Sequence, residues 1–169
     1  MATSMTSPFF HEQPHVIRLR GPWQYAVLEG TPTITAEPSG QLQLPADWST
    51  TLGADFRGTV RYSRNFGCPT GLTDLVHILL VVSAVDYSAN IQLNGQTLGR
   101  ATWGDGPQAF AIREHLQPRN QLDIDISLPI DLDLPAEHNR AQRNAQAGGL
   151  IGEVRLEIGH DLADPALVS

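Results

Sequence analysis

Apolar and polar residues alternate one for one along most of this chain, and that period limits the fold more than any other feature. Gln121 to Leu128 reads Gln-Leu-Asp-Ile-Asp-Ile-Ser-Leu, so Leu122, Ile124, Ile126 and Leu128 share one face and the polar residues the other. Thr59 to Phe66 groups Val60, Tyr62 and Phe66 against Thr59, Arg61, Ser63 and Asn65. Near the C-terminus Val154, Leu156 and Ile158 alternate with Glu153, Arg155 and Glu157. Each pattern is that of a strand with one wet and one dry face. Asp74 to Val82 is nearly continuous in apolar residues, as expected of a strand covered on both faces, with His77 a hydrogen-bonded core or interface residue within it.

Turn residues punctuate these runs. Asn94-Gly95 separates Ile91-Gln92-Leu93 from Gln96-Thr97-Leu98, the signature of a two-residue hairpin with positive φ at both central positions. Fifteen Gly and twelve Pro fall mostly between the alternating segments. No 3.6-residue period outlasts two turns; Ile112 to Leu116 fits one short turn. The pattern predicts an all-β, antiparallel sandwich of eight or nine strands. Residues 15–160 make up the sandwich, 1–14 an N-terminal extension and 161–169 a C-terminal tail. The longest irregular segment is Pro135 to Gly149, a polar stretch of the length at which loops are often functional.

At 169 residues the chain has the size of one domain, too short for a barrel enzyme of ~250 residues. Hydrophobic residues make up 41% and charged residues 17%, enough for a packed core and too little charge for disorder. Eleven basic residues against eighteen acidic ones give a net charge of -7, which argues against nucleic acid and anionic lipid as partners. All eleven are Arg, so Schiff-base chemistry and a P-loop lysine are excluded. A lone Cys68 forms no internal disulfide. Met1 to His15 carries no secretory signal and no run reaches ~18 apolar residues, so a soluble, cytoplasmic protein is expected.

Few residues offer chemistry. His11-Glu12-Gln13-Pro14-His15 matches the spacing of a zinc-protease helix, but Pro14 inside it and the strand after it make a surface loop the plainer reading. Asp123/Asp125 and Asp131/Asp133 are paired acids at strand spacing, able to hold a hard cation or to resemble a glycosidase pair, yet adjacent carboxylates on one strand cannot flank a sugar from two sides. A solvated face accounts for them. No nucleophile elbow is present, and no metal or cofactor is called for. Of three Trp, Trp23 and Trp48 read as anchors. Trp103, in Trp103-Gly104-Asp105-Gly106-Pro107, is expected to be exposed on a turn and able to stack on a sugar ring while Asp105 binds hydroxyls.

The order of motifs carries a resemblance. Leu19-Arg20-Gly21-Pro22-Trp23, Leu44-Pro45-Ala46-Asp47-Trp48 and Phe56-Arg57-Gly58-Thr59-Val60-Arg61-Tyr62-Ser63-Arg64-Asn65-Phe66 come first. Val85-Asp86-Tyr87 through Asn94-Gly95 follows, then Phe110, Asn120-Gln121-Leu122 and Gly148-Gly149-Leu150-Ile151-Gly152-Glu153-Val154. Together, from about His15 to Gly159, they resemble the N-terminal sugar-binding domain of glycoside hydrolase family 2, the β-galactosidase, β-glucuronidase and β-mannosidase group. The resemblance implies a galactose-binding-like jelly roll. It also implies a sugar-facing acid at Asp86, a second site residue near Arg143 with its charge reversed, Ala111 in place of a further acid, and a buried Arg64 paired with a carboxylate. In that family the two catalytic carboxylates lie in a separate barrel domain.

A non-catalytic carbohydrate-binding module, with Asp86, Trp103, Asp105 and Arg143 at its site, is therefore the first expectation. The alternative is a structural or interaction sandwich that self-associates or supports a separate catalytic chain. An independent glycosidase, or a fragment of one, comes last.

Overall fold

The computed structural model describes residues 7–30, 39–44, 46–49, 51–53, 56–128, 149–150 and 152–169. It is an antiparallel β-sandwich. The strands are β1 (His15–Arg18), β2 (Trp23–Glu29), β3 (Ser39–Leu42), β4 (Ala46–Asp47), β5 (Gly58–Gly67), β6 (His77–Val82), β7 (Ser88–Leu93), β8 (Gln96–Thr102), β9 (Gln108–Ala111), β10 (Arg119–Leu128), β11 (Gly149–Leu150) and β12 (Val154–Gly159). One sheet has the order β3-β2-β5-β10-β7-β8, the other β1-β12-β6-β9, and β11 pairs with β4 in a small third ribbon. The strands beyond the eight or nine expected are short ones, two of them only two residues long, too short to show a period.

Register explains the core. In the larger sheet Tyr25, Tyr62, Ile124, Ile91 and Gly99 lie in one cross-strand row, and Val27, Val60, Ile126, Ala89 and Ala101 in the next. Facing them, Ile17, Leu156, Leu80 and Phe110 form a row across the smaller sheet. The two inner faces interdigitate, as sandwich cores do. At Gly99 a Cβ would come 2.8 Å from the Phe110 ring, so the absence of a side chain there is what lets the aromatic seat. Trp23 and Trp48 are both 0% exposed, the anchors expected of them. The Trp23 indole donates to Leu19 O at 2.6 Å, and Trp48 meets Phe56 edge to face at 5.0 Å.

The hairpin at Asn94-Gly95 has φ of 52° and 81°, as that dipeptide requires, and Arg113–His115 forms one 3-10 turn where Ile112 to Leu116 suggested it. Strand β6 is buried on both faces. Ile78, Leu80 and Val82 belong to the main core, while Leu79 and Val81 join Phe9, Phe10 and Ala109 in a second cluster on the outer side. The run of Asp74 to Val82 overstated the strand, however. His77 is its exposed first residue and not a core histidine, because the chain is still in a surface turn through Leu75, itself 77% exposed.

No helix among the described residues is long and apolar enough to cross a membrane. The irregular segment Pro135 to Gly149 lies outside the described residues up to Gly149, which opens β11.

Candidate functional site

The loop entering β7 and the turn leaving β8 meet at one end of the larger sheet. Ser88 of β7 pairs with Thr102 of β8, and just beyond them the Trp103 N–H donates to Tyr87 O at 3.0 Å. Tyr87 holds a left-handed φ of 48°, an uncommon conformation for a residue with a side chain, which turns the chain sharply after Asp86. The Asp86 N–H reaches Gly149 O at 3.3 Å, bringing β11 to the same end. Asp86, Trp103 and the start of β11 are thus neighbours in space, though far apart in sequence.

The individual side chains depart from expectation. Asp86 is 0% exposed, so its carboxylate faces protein. Trp103 is half-buried against the main core rather than exposed, because the 87–103 backbone bond draws the turn down onto the sandwich. Asp105 is exposed but points elsewhere. It accepts from Gln108 Nε2 at 3.4 Å and lines a cavity of about 630 Å³ with Arg100, Thr102, Phe9 and Leu167. Arg143 lies outside the described residues. The structure therefore brings Asp86 and Trp103 together and turns Asp105 away from them.

Arg64 is also corrected. It is only half-buried, and among the described residues no carboxylate pairs with it; its Nη1 donates to Pro22 O at 3.1 Å. It shares the inward face of β5 but sits near the strand's end, where the sandwich opens toward Pro22 and Gln121.

The outer face of the larger sheet is more organised than a merely solvated surface. Asp125 receives a two-pronged hydrogen bond from Arg61, Nε at 2.7 Å and Nη2 at 2.8 Å. That hydrogen bond raises the Arg61 pKa above its ordinary value, with burial opposing it. Asp123, only 8% exposed, accepts from Ser63 Oγ at 2.6 Å and from Gln121 Nε2. Asp123 and Asp125 are thus locked to neighbours on β5 and β10, while Asp131 and Asp133 lie outside the described residues. His11 and Glu12 are exposed in a bend and His15 opens β1, so these residues do not share a helix face.

Two contiguous hollows of about 360 Å³ each lie beside this ladder and share Gln24, Gln41 and Ser63. Sequence reasoning missed them. Their residues occupy unremarkable polar positions of alternating strands, and only the register of four strands puts them together.

No family model matches the chain, and no curated protein matches it. Solved structures do. A β-glucuronidase from Bifidobacterium dentium, complexed with coumarin-3-O-glucuronide, aligns over 94% of this chain and 32% of its own at 18% identity and a TM-score of 0.68. A calcium-binding mutant of Bacteroides uniformis β-glucuronidase 2 aligns over 86% of this chain and 18% of its own, at 23% identity and a TM-score of 0.68. A rhamnosidase from Novosphingobium sp. PP1Y covers 94% of this chain and 16% of its own, at 20% identity and a TM-score of 0.66. The chain thus spans between 16% and 32% of these enzymes' lengths and has the β-sandwich fold of a domain-sized part of them.

Proposed function

We propose that this chain is a non-catalytic carbohydrate-binding sandwich, akin to the sugar-binding domain of family 2 glycosidases. The observation that carries this reading is coverage: 85–94% of the chain aligns with a minor part of several glycosidases. In this reading the half-buried Trp103 is the ring that stacks on a pyranose, beside the loop that carries the buried Asp86. Arg143 stays a candidate for the rim, whereas Asp105, which lines the neighbouring cavity, does not. A separate catalytic chain or domain would supply any hydrolysis, and none is assigned to residues of this one.

A second reading, an interaction or structural sandwich, is favoured by the full burial of Asp86, since a carboxylate facing protein is a structural group first. Titration with galactosides, glucuronides and mannosides, followed by melting temperature and Trp fluorescence, separates the two. Binding to the native state raises the melting temperature, and Trp103→Ala is expected to abolish the response while the fold persists. Asp86→Asn, which keeps the shape of a buried group, is expected to weaken it. No response to any sugar, with light scattering showing a dimer, would establish the interaction reading instead.

A further inference from the structure

We infer that the outer face of the six-stranded sheet is a second glycan-binding surface, a trough for a neutral oligosaccharide lying across β3, β2, β5 and β10. The inference rests on the carbohydrate reading above but on different residues. Gln41, Gln24, Ser63, Asp123, Gln92 and Thr97 stand opposite one another in a single row across all six strands. Residues directly opposite in such pairs share a face. The next row contains Ser39, Ala26, Arg61, Asp125, Asn90 and Arg100, and Ala26 is the only apolar side chain in the two rows.

Three features select the occupant. First, the shape is concave where the row crosses β3 to β10: the two adjoining hollows run over three strand spacings, roughly 14 Å at about 4.8 Å each. That length suits a short oligosaccharide. Second, the hydrogen-bonding capacity is unspent. The side-chain amides of Gln24, Gln41 and Asn65 make no hydrogen bond among the described residues, and the Arg64 Nε–H at the trough's wall is buried without an acceptor there. An amide offers a donor and an acceptor together, as does a sugar hydroxyl, so a row of amides matches a polyol. Third, little of the lining is charged or apolar. Of its two cations Arg61 is held in its fork by Asp125, which leaves Arg64, and its apolar side chains are Pro22, Tyr25 and Ala26. One uncommitted Arg gives an anionic polymer little to hold, and so small an apolar area gives a protein partner little to desolvate.

The floor is also rigid. Ser63 and Gln121 clamp Asp123, and the Arg61–Asp125 fork ties β5 to β10, so the amides project from a fixed base.

The test is a heteronuclear NMR titration of the full chain with cellotriose, mannotriose and galactotriose, and with trigalacturonate as the anionic counterpart. Saturable shifts at the side-chain amides of Gln24, Gln41 and Asn65 with a neutral trisaccharide support the proposal. Q24A/Q41A, two exposed positions whose melting temperature should match the parent, is then expected to bind about tenfold more weakly, the effect of losing two neutral hydrogen bonds. Shifts confined to Tyr87, Trp103 and Asp105 overturn this surface and leave the loop-end reading standing. Shifts with trigalacturonate alone overturn the neutral occupant. Concentration-dependent shifts on the face without sugar make the occupant a second copy and overturn the proposal. No shift with any sugar overturns both readings.

Discussion

Replacing Phe10 with Ala tests whether the N-terminal segment is part of the folding unit. Phe10 is 3% exposed and belongs with Phe9, Leu79, Val81 and Ala109 to the cluster on the outer face of β6, rimmed by Leu162 and Val168. Its ring lies over Gly159, where a Cβ would come 2.7 Å from it. Backbone bonds seal the arrangement: Phe10 bridges Leu162, the His11 N–H reaches Asp161 O at 3.0 Å and the Ala163 N–H reaches Phe9 O at 2.9 Å. Core Phe→Ala changes cost about 3–5 kcal/mol. This cluster is thin and lies near solvent, which places the cost near the lower end, about 3 kcal/mol. For a domain of this size each kcal/mol lowers the melting temperature by about 2–4 °C, so a fall of about 6–12 °C is expected. Urea denaturation should show the same loss at an unchanged slope. A fall below about 2 °C would show that the segment detaches independently and that β6 gains little from its outer cover.

Three further substitutions probe the sandwich. Gly30→Ala should cost about 3 kcal/mol and Gly71→Ala only about 1 kcal/mol. Both glycines have positive φ, 97° and 73°, but a Cβ on Gly30 would lie 2.5 Å from Arg57 O while Gly71 has open space; equal costs in thermal melts would refute the steric account. Asn120→Ala should cost about 2–3 kcal/mol. Its buried amide accepts from the Gln117 N–H at 2.8 Å and from Asn94 Nδ2 at 3.0 Å and donates to Gln117 O at 2.9 Å, so hydrogen exchange at Gln117 should accelerate; unchanged exchange would contradict its role as a clamp.

The sequence disclosed strands where one face is wet. Strands β5, β10 and β12 and the Asn94-Gly95 hairpin follow the period of two and the turn chemistry, both local properties. What it hid was set by partners distant in the chain. Phe10 meets Leu162, and Ser7 Oγ donates to the buried Glu157 at 2.8 Å across 150 residues, pairings that no local pattern announces. The apolar run of Asp74 to Val82 revealed a strand covered on both sides but not where it begins, since an apolar run has no internal marker of where a turn gives way to extended chain. At the candidate site the loop positions were legible from motif order, whereas the burial of Asp86 and the separation of Asp105 from Trp103 depend on how loops fold back. The amide trough was invisible for the same reason: Gln24, Gln41, Ser63 and Gln121 become neighbours only through register.

The central claim, that this sandwich binds carbohydrate without acting on it, is tested most directly by calorimetric titration of the full chain with neutral and acidic oligosaccharides, each recovered afterwards and checked for cleavage. The account predicts saturable heat with at least one neutral glycan and complete recovery of that glycan. Absence of heat with every sugar, or recovery of cleaved product, would contradict it.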